Sequence, residues 1–238
     1  MKRKIVRTIA LGSFALVVVL STAWQGQAQN AKAPYPSMAP LDQYLMTDRN
    51  AEIALARSAA PPPISRDAKV MVLGPHGYET AAEGKNGFVC IVERAWMNRF
   101  DNPEYWNPKN RSPICFNPPA ARSILLIAYM RTDLVLAGKS KDEVRERIKA
   151  AYAKKELPPL EPGAMCYMMS KDAYLTDDDG HNLAHLMFYT TGVDGAALGA
   201  NLPGSPIILF KEDPEPLGGF MVGTGMWSDG TRAPLMSE

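Results

Sequence analysis

The chain has 238 residues, 46% of them apolar, and carries 26 Lys and Arg against 25 Asp and Glu, a formal charge of +1. Length and apolar content suffice for one domain with its own core, and so even a charge balance offers no basic footprint for a nucleic acid. The 20 prolines exceed the usual share of about 5% and imply many loops.

The first residues read as an export signal. Lys2, Arg3, Lys4 and Arg7 precede an apolar run from Ile9 to Leu20, and no acidic residue comes before Asp42. The run has the length of a signal's apolar segment, whereas a spanning helix needs about 20 residues. Gly26 and Ala28 place small residues at the −3 and −1 positions of a cut after Ala28, which is preferred. Ser21 and Ala23 mark a second candidate, and a cut after Ala33 would leave Pro34 first. With no Cys after the run and no Arg pair before it, neither a lipoprotein nor a twin-arginine route is expected. An uncleaved anchor is the competing reading. The expected division is a signal peptide at 1–28, a Pro-rich arm at 29–40 (QNAKAPYPSMAP) and one α+β domain at 41–238. Cleavage removes four basic residues and leaves a mature charge of −3, in the periplasm or outside the cell, with no membrane attachment.

Within the domain, Ala, Leu, Glu and Arg predict a helix over 42–59, stopped by Pro61-Pro62-Pro63. Short β-branched runs at 69–73, 78–82 and 88–92, separated by Gly signals, predict a strand meander. Residues 94–117 read as a long irregular loop rich in aromatics and Arg. Asn117 then caps a helix with Pro118 at its first position. Its body SILLIAYMRTDLVLA is apolar on most faces and should be buried, and Gly138 ends it. Ser140 and Glu143 form a capping box for a second helix with an apolar stripe at Val144, Ile148, Ala151 and Tyr152 and a Glu143–Arg147 pair. Strands are predicted again at 164–169, 183–190, 206–210 and 220–224. The expected fold is α+β, a mainly antiparallel sheet with an αα-hairpin and an N-terminal helix packed on it, the helices on one face.

Of the three cysteines, two are expected to pair in an oxidising compartment. Three pairings are open. Cys90–Cys115 is favoured, closing a loop of about 25 residues and stapling the base of the 94–117 loop.

No HExxH, GxSxG, P-loop, GxGxxG, SxxK or CxxC occurs, and the Asp177–Gly180 run does not fit an EF-hand. His181 and His185, four residues apart beside Asp179, could hold a divalent cation such as Zn²⁺ or Fe²⁺ with open positions; the competing reading is a solvated turn and two strand-end imidazoles. Cys166 shares a face with His185 only if the paired residue numbers of their strands sum to an odd number, which would permit a Cys–His nucleophile. Met165, Met168, Met169 and Met187 near His185 suit Cu(I), or are core filler. In the 94–117 loop, Trp96 and Trp106 with Arg99 and Arg111 suggest a ligand-binding wall, apolar faces beside anion-binding guanidiniums. Their other role would be to tack the loop onto the sheet.

The stretches CFNPPAARS (115–123), GAMCYMMSK (163–171), GHNLAHLMFY (180–189) and GANLPGSP (199–206) resemble an uncharacterised family of exported bacterial proteins across most of the mature chain. The resemblance implies export and a single domain and assigns no catalytic residue. Together these readings point to an exported globular protein that binds a small molecule. The alternative is a metal-dependent hydrolase or oxidoreductase using His181 and His185, and a structural envelope protein is a third class. Export through a Sec pathway should yield a mature chain that begins at Gln29, checked by intact-mass analysis of protein recovered from the periplasm; an N-terminus retaining Met1 would instead mark an anchor.

Overall fold

The computed structural model describes residues 34–177, 183–192, 194–211 and 214–234. The expected signal segment at 1–28 and the start of the arm lie outside the described residues, as do Asp179 and His181.

The described part of the arm lies against the domain, with Tyr35, Met38 and Ala39 packed on the main core. Helix α1 (Arg49–Arg57) begins at Asp48, whose carboxylate accepts from the backbone N–H of Asn50 at 2.8 Å and Ala51 at 3.2 Å. It is shorter than the expected 42–59. Residues Leu41–Gln43 form a separate 3₁₀ turn, because an Asp in extended backbone starts a helix rather than sitting inside one. After the short α2 (Pro62–Ser65), strands β1 (Lys69–Gly74) and β2 (Gly77–Ala82) form a hairpin. Strand β3 (Val89–Glu93) then runs parallel to β1, the single parallel pairing among the described strands.

The 94–117 stretch is not one irregular loop. A 3₁₀ turn occupies Ala95–Met97, and the chain returns as β4 (Ser112–Phe116), buried along its whole length and antiparallel to β3. Pro113 hides this strand from sequence reading, since proline removes a ladder donor. It is tolerated for a positional reason. Cys90 and Cys115 stand opposite each other with Cα atoms 4.0 Å apart, the close spacing of a pair whose backbone polar groups point away from each other. Pro113, two residues on, therefore turns its nitrogen away from β3, and pairing of β4 to the next strand involves only Cys115 and Phe116.

Asn117 caps α3 (Pro118–Ser123), which leads through Ile124 into α4 (Leu125–Leu136). Gly138, at φ 75°, lets the N–H groups of Gly138 and Lys139 return to the carbonyls of Val135 and Leu134 and so ends α4. Helix α5 (Lys141–Ala153) opens on the Ser140–Glu143 capping box and buries Val144, Ile148 and Ala151. The expected Glu143–Arg147 pair gives way to Glu143 with Lys139 at 2.9 Å and Arg147 with Glu156 at 2.5 Å. Those partners stand at the end of the preceding turn and in the segment after α5. Strands β5 (Met165–Met168), β6 (His185–Thr190), β7 (Ile207–Lys211) and β8 (Gly218–Gly223) complete an eight-stranded sheet in the order β2-β1-β3-β4-β5-β6-β8-β7. The fold is α+β with a mainly antiparallel sheet.

The helices cover both faces of the sheet, not one. Alternation along β1, β3 and β4 sends Val70, Cys90, Val92 and Cys115 to one side, where they meet Ala56 of α1 with Ala59 and Ala60 just beyond it. Leu73, Ile91, Ile114 and Phe116 go to the other, where they meet α3, α4 and α5. These strands are buried on both sides, which is why their sequences read as continuous apolar runs and conceal a second covering layer. The Arg94–Glu52 pair (2.8 Å) ties α1 to the end of β3; both side chains are buried, and Arg94 also donates to the Tyr44 and Val92 carbonyls.

Cys90 and Cys115 are joined by a disulfide across β3 and β4, and Cys166 is the free thiol. Replacing both bridge residues by Ser should cost about 3–4 kcal/mol by the chain-entropy account. The cost would appear as a lower urea midpoint, with a slope that steepens as the released unfolded chain exposes more surface, reproduced in the wild type by reductant; an unmoved midpoint would show that the bridge does not restrict the unfolded chain.

Candidate functional site: a cavity over the sheet

A concavity with a volume of about 100 Å³ lies on the α4 side of the sheet. Its floor is Glu93 of β3, Ile114 of β4, and Met187 and Tyr189 of β6. Residues of that face at alternate positions share a side because strand side chains repeat every two residues. Between β4 and β6 runs β5, whose Cys166 stands opposite Met187 on the same face, with its Sγ 3.4 Å from the Tyr189 hydroxyl. The roof is Ile124, Ile127 and Arg131, three or four residues apart on one helical stripe. Met97 closes one side, and Glu215 and Leu217, from the connection between β7 and β8, close the other.

Arg131 organises this space. Its Nη1 reaches the carbonyls of Trp96, Met97 and Asn98 at 3.1–3.3 Å, and its guanidinium carbon lies 4.4 Å from the centre of the Phe100 ring. Its Nε and Nη2 converge on one oxygen of Glu215, Oε1, at 3.1 and 2.5 Å. An Arg–carboxylate fork ordinarily uses both oxygens. Here the second, Oε2, is buried without a hydrogen-bond partner, although Glu215 is only 4% exposed. Leaving a charged acceptor unsatisfied inside a protein costs more than the 1–3 kcal/mol of a neutral group. The cavity wall thus combines a mostly apolar lining with four polar side chains, Glu93, Arg131, Tyr189 and Glu215. Burial raises the pKa of Tyr105, and it too leaves its hydroxyl without a partner.

These residues escaped sequence reading because the pair spans 84 positions and belongs to no motif. One signal was present. Arg131 and Asp133 are the charged residues in an otherwise apolar helix, and a buried Arg requires a partner elsewhere in the chain.

The residues singled out from sequence do not gather around this cavity. Trp96 is fully buried with its Nε1 donating to Thr132 Oγ1 at 3.0 Å. Trp106, also in the core, lines a separate groove of about 790 Å³ between the arm, the 101–106 segment and the start of α5. Arg99 pairs with Asp101 on the surface at 3.0 Å and borders a third depression. Arg111 donates to the carbonyls of Pro108, Asn110 and Gln43, and burial lowers its pKa to about 10. Both tryptophans thus hold their segment onto the core, and the two guanidiniums point elsewhere.

The β5–β6 register settles the placement of Cys166 and His185. Cys166 pairs with Met187 and Met168 with His185, an odd sum, so the two residues do share a face. The thiol is nevertheless not activated. Burial pushes its pKa well above the ordinary value, and Tyr189, not an imidazole, is the polar group against it. His185 Nδ1 lies 2.6 Å from the Leu183 carbonyl, which can only accept, so Nδ1 carries the proton and Nε2 the lone pair. Among the described residues no three His, Cys, Asp or Glu side chains are placed to hold a metal ion. The methionines divide between surroundings: Met168 and Met187 join the main core, Met169 a small cluster with Ala184 and Ala233.

No family model, curated protein or solved structure matches this chain. The cavity is therefore read from its own chemistry.

Burial holds the His185 ring below its usual pKa of 6.5, against the opposing effect of the Leu183 carbonyl. The unfolded chain then binds the additional proton first as pH falls, so this residue contributes stability that is complete above about pH 6.5 and declines below it. Between pH 7 and 5 the wild type should lose more thermal stability than His185→Gln. Parallel losses would mean that the ring protonates freely in the fold.

Proposed function

We propose that the protein is exported and holds a small molecule in the cavity between the sheet and α4. The observation that carries this reading is a cavity whose mostly apolar lining holds a few polar groups, Glu93, Tyr189 and the buried Arg131–Glu215 pair. Cavities that are merely packing defects are lined by apolar groups and stay dry. A buried Arg–Glu pair, its arginine held by four carbonyl or carboxylate acceptors, is a costly arrangement for a defect. Ligand sites combine an apolar lining with a few fixed polar groups in this way.

Export is supported by the basic and apolar residues of the first 28 positions and by the Cys90–Cys115 disulfide, a bond favoured in oxidising compartments. Among the described residues no helix is long and apolar enough to cross a membrane.

Methyl-labelled Ile and Met residues give a direct test, since Met97, Ile114, Ile124, Ile127 and Met187 surround the cavity. A library of molecules of up to about six heavy atoms should yield members that shift these five methyl resonances saturably and raise the melting temperature. If saturable shifts arise only at methyls elsewhere, or not at all, the cavity is not a binding site.

A further inference from the structure

The sheet ends in β2 on one side and β7 on the other. An end strand offers a row of backbone N–H and C=O groups to any other extended chain, and native proteins blunt it with charge, a bulge or a cover. Strand β2 carries such devices. Its register with β1 shifts between Val70 and Met71, and its middle exposes Glu79 and Thr80. Arg49 of α1 pairs with Glu79 and donates to the Thr80 carbonyl at 3.1 Å. Strand β7 pairs with β8 without a shift, and Ile207, Ile208, Leu209 and Phe210 are apolar and only partly buried; its one charge is Lys211, at the end.

Asn201 occupies the outer side of β7 instead. The Ile207 carbonyl accepts from the backbone N–H of Asn201 at 2.9 Å, and the Leu209 N–H donates to Asn201 Oδ1 at 3.0 Å. Backbone groups of alternate residues point to the same side of a strand. Ile207, Leu209 and Lys211 therefore face outward, and Ile208 and Phe210 face β8. A residue of a parallel neighbouring strand makes this same pair of bonds, its N–H to one residue and its carbonyl from the residue two further on. In Asn201 the side-chain oxygen takes the part of the carbonyl. Its φ of 59° lies in the left-handed region, which Asn enters more readily than most residues. The preceding loop is folded to hold it there. The Gly195 carbonyl accepts from Leu198 N–H at 3.2 Å and Ala200 N–H at 2.9 Å, and Gly195 lies so close to Leu209 that a Cβ would come 2.9 Å from Leu209 Cδ2. At the end of the strand, Arg99 Nη1 donates to the Lys211 carbonyl at 3.3 Å.

We infer that Asn201 guards this edge: it stands where one residue of a ninth strand would stand, and keeps β7 from pairing with β7 of a second copy of the chain. A second copy is the matching partner. Two β7 strands set antiparallel about Leu209 present each other with the same outward donors and acceptors, in an isologous contact that closes at two chains.

The test uses the whole chain with two substitutions. Asn201→Gly keeps the left-handed backbone and removes only Oδ1. Asn201→Pro removes the N–H as well and cannot take a positive φ. Hydrogen exchange at the Leu209 amide should quicken about tenfold in Asn201→Gly, the loss of one hydrogen bond. In sedimentation, Asn201→Pro should form a dimer whose share grows with concentration, while the wild type stays monomeric. Adding Lys211→Pro, which removes an outward N–H at an exposed position, should restore the monomer. Unchanged Leu209 exchange in Asn201→Gly would overturn the guard, as would a wild-type dimer that Lys211→Pro abolishes. A monomeric Asn201→Pro with the circular dichroism of the wild type, or a dimer that survives Lys211→Pro, would overturn the pairing edge. Where Asn201→Pro does not fold, Asn201→Ala, which loses Oδ1 and is strained at positive φ, takes the same sedimentation test with the same outcomes.

Discussion

A guanidinium cannot leave water without a full set of acceptors, and Arg131 obtains its set from two distant parts of the chain. The carbonyls come from the segment after β3, the carboxylate from the connection before β8, and the arginine itself from the middle of α4. Removing one partner from such a pair ordinarily costs about 3–5 kcal/mol, because the other is left charged and unpaired. The pair is consequently a constraint on geometry: α4, the turn at Ala95–Met97 and the β7–β8 connection must arrive together. Their convergence also creates the cavity, since a rigid Arg–Glu pair cannot collapse into the space beside it as an aliphatic side chain would. A second pair, Arg94 with Glu52, makes the same demand on the opposite face, where α1 packs.

The sheet needs such external ties. Its first four strands and its last four meet at β4–β5, where only Cys115 with Tyr167 and Phe116 with Cys166 are in register. Asn117 reinforces that seam. Its Oδ1 accepts from the N–H of Ala120, capping α3, and from the N–H of Met165, while its Nδ2 donates to the Gly163 carbonyl. One side chain thus starts a helix and fastens a strand. Arg131 bridges the same divide from above.

How much of this was legible follows the range of the interactions. The Asn117 cap, the Ser140–Glu143 box, Gly138 and the strand punctuation involve residues within a few positions of one another, and each element they mark is present near its expected place. The Cys90–Cys115 bridge was legible because few pairings existed. Pro113 concealed β4, and the doubly buried strands concealed that helices cover both faces. The site was hardest. Aromatic residues and histidines drew attention by type, yet Trp96 and Trp106 proved to be core, and the charged groups that define the cavity, Arg131 and Glu215, looked ordinary in sequence. A sequence displays residue identity, whereas a cavity depends on which side chains converge after folding.

Strand parity has a consequence for the chain's oxidation chemistry. Cys90 and Cys115 project toward α1, whereas Cys166, opposite Phe116, projects to the other side of the sheet. Attack by the Cys166 sulfur on the bridge would have to pass through the backbone ladder. The three thiols are therefore equivalent competitors only in the unfolded chain. Once β4 is paired on both sides, the sheet acts as an insulating partition, and shuffling of the bridge requires the strands to separate first. Correct pairing is protected by geometry, without any difference in reactivity among the sulfurs.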